Sequence, residues 1–216
     1  MTERDDLVSA LAGDLGSAGP ATNSDRLAVA WLFSSLAYVV LITHLLGPIR
    51  PGALAQLVSQ PRFALEMALG LVALAVATVA AFRAAVPGAL TSRFALASAG
   101  LVILWIIAYV VGLVAPALEP SMLGKRDHCF LETFLYALPP AGLACYLCWK
   151  YYPLEPSKMA LRCGLAAGLM PALYMQIACM YDPGHILLFH ILPGLVVALA
   201  TLACFRVFFV RSNHVG

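Results

Sequence analysis

The sequence predicts an all-α integral membrane protein, a bundle of six transmembrane helices, and three observations predict it. Hydrophobic residues make up 62% of the 216-residue chain and charged residues only 11%, where soluble domains run near half and a quarter. Mean hydropathy is +0.89. The apolar residues fall into six runs of about the 20 residues that a helix needs to cross a bilayer core. No ten-residue alternating pattern points to a membrane barrel. A net charge of +2 is too small to imply a nucleic-acid partner, whereas lipid is implied throughout.

In chain order the expected spans are Leu27–Leu46, Phe63–Phe82, Phe94–Val114, Phe130–Trp149, Met159–Met180 and Ile186–Phe209. Between them stand turn formers: Gly47-Pro48, Pro87-Gly88, Pro116 with Pro120, Pro153 with Pro156, and Asp182-Pro183-Gly184. Ser92 reads as the N-cap of the third span and Ser157 as that of the fifth. The chain thus divides into an N-terminal segment (1–26), a transmembrane domain (27–210) and a short tail (211–216).

Orientation follows from the basic residues, which gather on the cytoplasmic side. Six spans put both termini on one side, with Arg4, Arg26, Arg83, Arg93, Lys150, Lys158, Arg162, Arg206 and Arg211. The other side keeps Arg50, Arg62, Lys125 and Arg126. Nine of the thirteen Lys and Arg therefore place both termini in the cytoplasm of an inner membrane.

The first 26 residues are polar and lack the basic start, apolar core and cleavage site of a signal peptide. Asp5 and Asp6 open a short helical pattern in which Leu7, Leu11 and Leu15 recur at i, i+4 and i+8, with Val8 beside them. Gly16 to Asn23 reads as a linker. Tails that lie on anionic lipid carry Lys and Arg on the polar face; this one carries Asp5, Asp6 and Asp14. An acidic helix on a tether suits a protein partner, whose groove would take the leucines.

Six cysteines divide into two groups. Cys145, Cys148, Cys163 and Cys204 lie in the inner halves of spans four to six and read as small core hydrophobes. Cys145-x-x-Cys148 has the spacing of thiol oxidoreductases, but sits in an apolar helix with no base nearby. Cys129 opens span four and Cys179 ends span five, so both emerge on the outer face, where disulfides are permitted. Around the first stand His128 and Glu132, around the second Asp182, His185 and His190. Thiol, imidazole and carboxylate together are donors for a soft or borderline metal. Two unrelated thiols among interfacial polar residues are the alternative.

Gly164-x-x-x-Gly168 reads as a close-packing face. Pro139-Pro140, Pro171 and Pro193 are expected to kink spans four to six, and Arg62 with Glu66 reads as an ion pair. The spans carry no central charge of the kind a pump needs, and the chain has no Walker loop, His-Glu-x-x-His or nucleophile elbow.

The arrangement resembles the NrsF-type six-span membrane anti-sigma factors. The resemblance begins at Asp5-Asp6-Leu7-Val8-x-x-Leu11-Ala12-x-Asp14-Leu15. It continues with Cys129, Pro156, the Gly164–Gly168 run, Cys179 with its acidic turn, the aromatic-His segment Phe189-His190, and Gly194. It implies a regulator, not an enzyme, with no standing cofactor. Such a protein holds an extracytoplasmic-function sigma factor at the membrane through its cytoplasmic portion. It releases that factor when the periplasmic cysteines register heavy-metal or oxidative stress. A membrane thiol oxidoreductase working with quinone, or a small transporter, is the alternative on residues alone.

Overall fold

The structure, a computed structural model, describes residues 23–212, with side chains to Val207. The acidic leucine segment, residues 5–15, and residues 213–216 of the tail lie outside the described residues. The elements are α1 (Ser24–Leu46), α2 (Ala53–Ser59), α3 (Pro61–Arg83), α4 (Ser92–Gly112), α5 (Cys129–Trp149), α6 (Pro156–Ala178) and α7 (Pro183–His185). The last of these runs through a π-helical segment, Ile186–Ile191, into α8 (Leu192–Ser212). Among the described residues there is no strand.

Local chemistry sets the helix starts. Asn23 caps α1, its Oδ1 accepting from the amides of Asp25 at 3.0 Å and Arg26 at 3.3 Å. Two expected caps move. The cap of α4 is Thr91, one residue before Ser92, and accepts from Phe94 N at 3.3 Å. The cap position of α6 is Glu155 rather than Ser157. Pro156 then takes the first helical position, where its missing N–H is no loss. Glu155 spends its carboxylate on Lys158 at 2.5 Å.

Among the described residues, five helical runs are long and apolar enough to cross a membrane: Ser24–Leu46, Pro61–Arg83, Ser92–Gly112, Cys129–Trp149 and Pro183–Val207. The fold is a membrane helical bundle. In α4 only a stripe faces inward, Ser98, Val102, Trp105, Tyr109 and Gly112. The remaining surface, with Leu96, Ile103, Ile107 and Val111, is apolar and exposed. A helix apolar on every face belongs in hydrocarbon, not water.

α6 differs in kind. At 23 residues it is as long as α1 and α3 but less apolar, because the bundle surrounds it on most sides. Fifteen of its residues, from Met159 to Ala178, are buried, and it packs most closely on α8 and α5, then α3. Small residues permit this. A Cβ on Gly168 would lie 2.2 Å from Gly194 O, and one on Gly164 would strike Thr201 Oγ1. The Gly-x-x-x-Gly face is therefore where α6 and α8 cross, backbone against backbone.

The prolines do not end their helices. α5 continues through Pro139-Pro140 and α6 through Pro171. The indole N–H of Trp31 donates to Pro140 O at 3.1 Å, tying α1 to that point. The expected Arg62–Glu66 pair does not form. Arg62 donates to Ala115 O at 2.8 Å, while Glu66 accepts from the Tyr181 hydroxyl at 3.0 Å. Each finds a better-placed partner on the loops that close this end of the bundle.

Candidate thiol–imidazole site

Cys129 is the first residue of α5 and Cys179 the residue that ends α6. The two helices are joined by one tight connection at the far end, so they run antiparallel and meet again here. Their sulfurs lie 3.0 Å apart, across 50 residues of sequence. Both thiols are buried and, with Met180, form a small cluster separate from the main core. The Cys129 Sγ also lies 3.1 Å from Arg126 O.

The third and fourth members come from the next helix. His185 Nε2 stands 3.5 Å from Cys179 Sγ, and the His185 and His190 rings meet edge to face at 5.0 Å. One donor atom from each of Cys129, Cys179, His185 and His190 lies within 4.8 Å of all the others. Positions five apart on an α-helix point roughly 140° apart, so His185 and His190 could not face one site there. The π segment lets them. In it Leu192 N bonds back five residues to Leu187 O, which stacks positions five apart on one side. Pro193, with no N–H of its own, follows at once.

His190 is fully buried, and neither of its ring nitrogens has a hydrogen-bond partner. A buried polar group without a partner costs about 1–3 kcal/mol. An incoming ion would remove that cost. The Cys179 thiol is held well below the ordinary cysteine range, first by the hydrogen bond from Cys129; burial opposes this and His185 adds to it. Two sulfurs sharing one proton with two imidazoles beside them make a donor set for zinc or softer ions.

The other residues expected as ligands are employed elsewhere. Glu132 forms an ion pair with Arg126 at 2.6 Å. Asp182 caps the next helix, accepting from His185 N at 2.6 Å. His128 is exposed at the rim of a cleft of about 710 Å³ that opens onto Cys129 and His185 between Phe130, Met180 and Phe189.

Two arginines that sequence reasoning treated only as topological charges hold the site together. Arg126 is buried and reaches Pro48 O at 2.8 Å besides Glu132. Gly47 leaves it room, since a Cβ there would lie 2.5 Å from its Nη2. Arg50 is buried too. Its amide donates to Ala178 O at 3.0 Å and its guanidinium to Gln176 O at 3.3 Å and Gln56 Oε1 at 2.6 Å. It thus serves the last carbonyls of α6, where the helix dipole favours a cation. Burial pulls its pKa down while the neighbouring Cys179 pushes back, so cation and thiol support one another.

Tyr181 completes the cap. Its hydroxyl accepts from Ala117 N at 3.0 Å and its carbonyl from Ser121 N at 3.0 Å. No spacing in the sequence signals these contacts, since each joins residues more than 50 apart.

The inner thiols have other company. Cys163 lies in the main core with Cys145 and Cys148, 3.6 Å from Met159 Sδ. Cys145, Cys148 and Cys163 are buried and Cys204 is exposed. No His, Asp or Glu joins them in a metal-sized group among the described residues.

Fold and site together define a helical membrane protein with a buried thiol–imidazole cluster at one end of its bundle. The chain belongs to the family described as "Negative regulator of sigma F", whose model matches residues 11–210. It is accordingly a regulatory protein whose partner is a sigma factor. No curated protein and no solved structure is significantly similar to it.

Proposed function

We propose that this protein is an inner-membrane anti-sigma factor that holds an extracytoplasmic-function sigma factor and releases it when the thiol–imidazole site takes up a heavy-metal ion. The observation that carries this is the convergence of Cys129, Cys179, His185 and His190 within 4.8 Å. Both termini are cytoplasmic, α6 is the fifth of six spans, and the site faces the periplasm. That orientation is supported by the nine basic residues on the terminal side. Three of the four on the other side are absorbed in structure, since Arg50, Arg62 and Arg126 each serve backbone carbonyls. The sigma factor is held by the acidic segment, with Leu7, Val8, Leu11 and Leu15 as the apolar face and Asp5, Asp6 and Asp14 around it.

The site gives the ion something to move. Tetrahedral ligation at about 2.3 Å per sulfur sets two thiolates roughly 3.7 Å apart. The pair stands at 3.0 Å, so binding spreads the start of α5 from the end of α6. Because α6 packs along α8, α5 and α3, displacement at one end is transmitted to the other. The sulfur separation also favours a second reading, oxidation to a disulfide. There the sulfurs close to about 2.0 Å; two electrons and the pair's single proton pass to a peroxide-class oxidant, whose O–O bond breaks to leave one water and one hydroxide.

Affinity capture of the detergent-solubilised chain from its host tests the first half, and a sigma factor is the expected stoichiometric partner. Non-reducing mass spectrometry after cadmium or peroxide tests the second. Metal binding leaves free thiols that resist alkylation, oxidation leaves a 129–179 linked peptide, and fully alkylatable thiols after both treatments overturn the sensing role.

A further inference from the structure

The end of the bundle opposite the thiols carries a cleft of about 380 Å³ between the connection that follows α3 and the start of α6. Its walls combine two chemistries. Val86, Leu90 and Leu154 supply apolar surface, and Arg83, Lys158 and Arg162 supply positive charge against a single acid, Glu155, which pairs with Lys158. Leu154 is 79% exposed, an apolar side chain that nothing among the described residues covers.

The chain itself leads into this cleft. Asp25, at the start of α1, is bound to Arg83 by two hydrogen bonds of 2.8 and 2.6 Å, and Arg83 is part of the cleft wall. The described chain therefore begins close to its rim. Residues 1–22 contain four acids, Glu3, Asp5, Asp6 and Asp14, against one arginine. Leu7, Leu11 and Leu15 recur every fourth position between them. From Leu15 to Asn23 the chain spans roughly 25 Å when extended, ample for the segment to fold back onto the cleft.

We infer that the Leu7–Leu15 segment docks in this cleft, its leucines against Leu90 and Leu154 and its aspartates against Lys158 and Arg162. This rests on the reading that the same segment holds the sigma factor. The leucines cannot face both partners, so cleft and sigma factor compete for one element. Docking then lowers the apparent affinity for the sigma factor by the fraction of the segment that is undocked. A movement of α6, whose first turn forms one wall, alters that fraction.

The test places a photoreactive phenylalanine analogue at Leu11 in the full chain, purified in detergent without sigma factor. Expected are intramolecular cross-links to residues 84–95 or 154–162. Lys158→Glu with Arg162→Glu should lower their yield about fivefold, the scale of two exposed ion pairs. Adding Asp5→Lys, Asp6→Lys and Asp14→Lys to that variant should restore the yield, which an unfolded protein would not do. Added sigma factor should abolish the cross-links. Cross-links to lipid, to a second copy or to other parts of the chain overturn docking, as does a yield indifferent to both charge reversals. If the wild-type chain retains a sigma factor while cross-links fall elsewhere, docking alone fails. If cross-links form as expected but no sigma factor is retained, the proposed function fails instead.

Discussion

The protein carries two groups of thiols, one at each end of the α5–α6 pair, and they differ in what surrounds them. Cys145, Cys148 and Cys163 sit among apolar side chains with Met159 as their nearest further sulfur. Cys129 and Cys179 sit at helix ends, where backbone carbonyls, two buried arginines and two imidazoles converge. A helix interior satisfies its own backbone and offers a thiol nothing to react with. A helix terminus leaves polar groups to be satisfied, and the residues that satisfy them build an environment in which a thiolate is stable. Reactivity belongs to the surroundings more than to the spacing.

The largest effect should come from Cys129→Ser or Cys179→Ser, each of which is expected to abolish metal-induced release in a sigma-dependent reporter assay. Cys145→Ser and Cys148→Ser should leave induction intact. Loss of response in the inner variants would erase the distinction between the two groups.

Leu11→Asp should come next, releasing the sigma factor without any stress. Burial of one Leu is worth about 1.5–3 kcal/mol, or about ten- to a hundredfold in affinity. Full repression by that variant would move sigma binding to the loops 83–93 or 150–158.

His190→Leu sharpens the comparison further. If the imidazole is a ligand, affinity for cadmium in detergent should fall at least tenfold by competition with a chelating dye. The metal-free protein should hold or gain thermal stability, because an unpartnered buried polar group gives way to an apolar one. Lower stability with unchanged affinity would mark His190 as structural.

The smallest effect is a proton count. With Cys179 held as thiolate by the Cys129 thiol, the pair carries one proton, so metal binding at pH 7 should release about one, not two. Calorimetry in buffers of different ionisation enthalpy reads this directly. The same depressed pKa contributes stability that is fully present above the unfolded cysteine value of about 8.5. That stability is lost progressively as pH falls from there toward the lower folded value. The melting temperature should therefore fall from pH 8 to pH 6, and Cys179→Ser should flatten that fall.

Much of this was legible in the sequence because it depends on local composition. Span existence follows from runs of apolar residues, and the positions of Cys129 and Cys179 at one end follow from counting spans. The expected ligand set was only half assembled, for identifiable reasons. Glu132 and Asp182 have the right chemistry, but helix ends claimed them first, one through Arg126 and one as a cap. Arg62 and Glu66 are spaced to pair, yet loop groups closer to hand took each of them.

The sequence by itself determined the membrane helical class, because bilayer thickness and backbone hydrogen bonding leave few solutions for chains this apolar. It also determined which residues could act as donors. Only the tertiary structure decided which of those donors meet. The 3.0 Å approach of Cys129 to Cys179 requires the Gly168–Gly194 crossing and the Arg50 and Arg126 anchors, all long-range. The joining of His185 and His190 requires a π turn that no α-helical periodicity contains. Each is set by packing between segments far apart in the chain, and pairwise distance in space is not encoded in spacing along one strand of sequence.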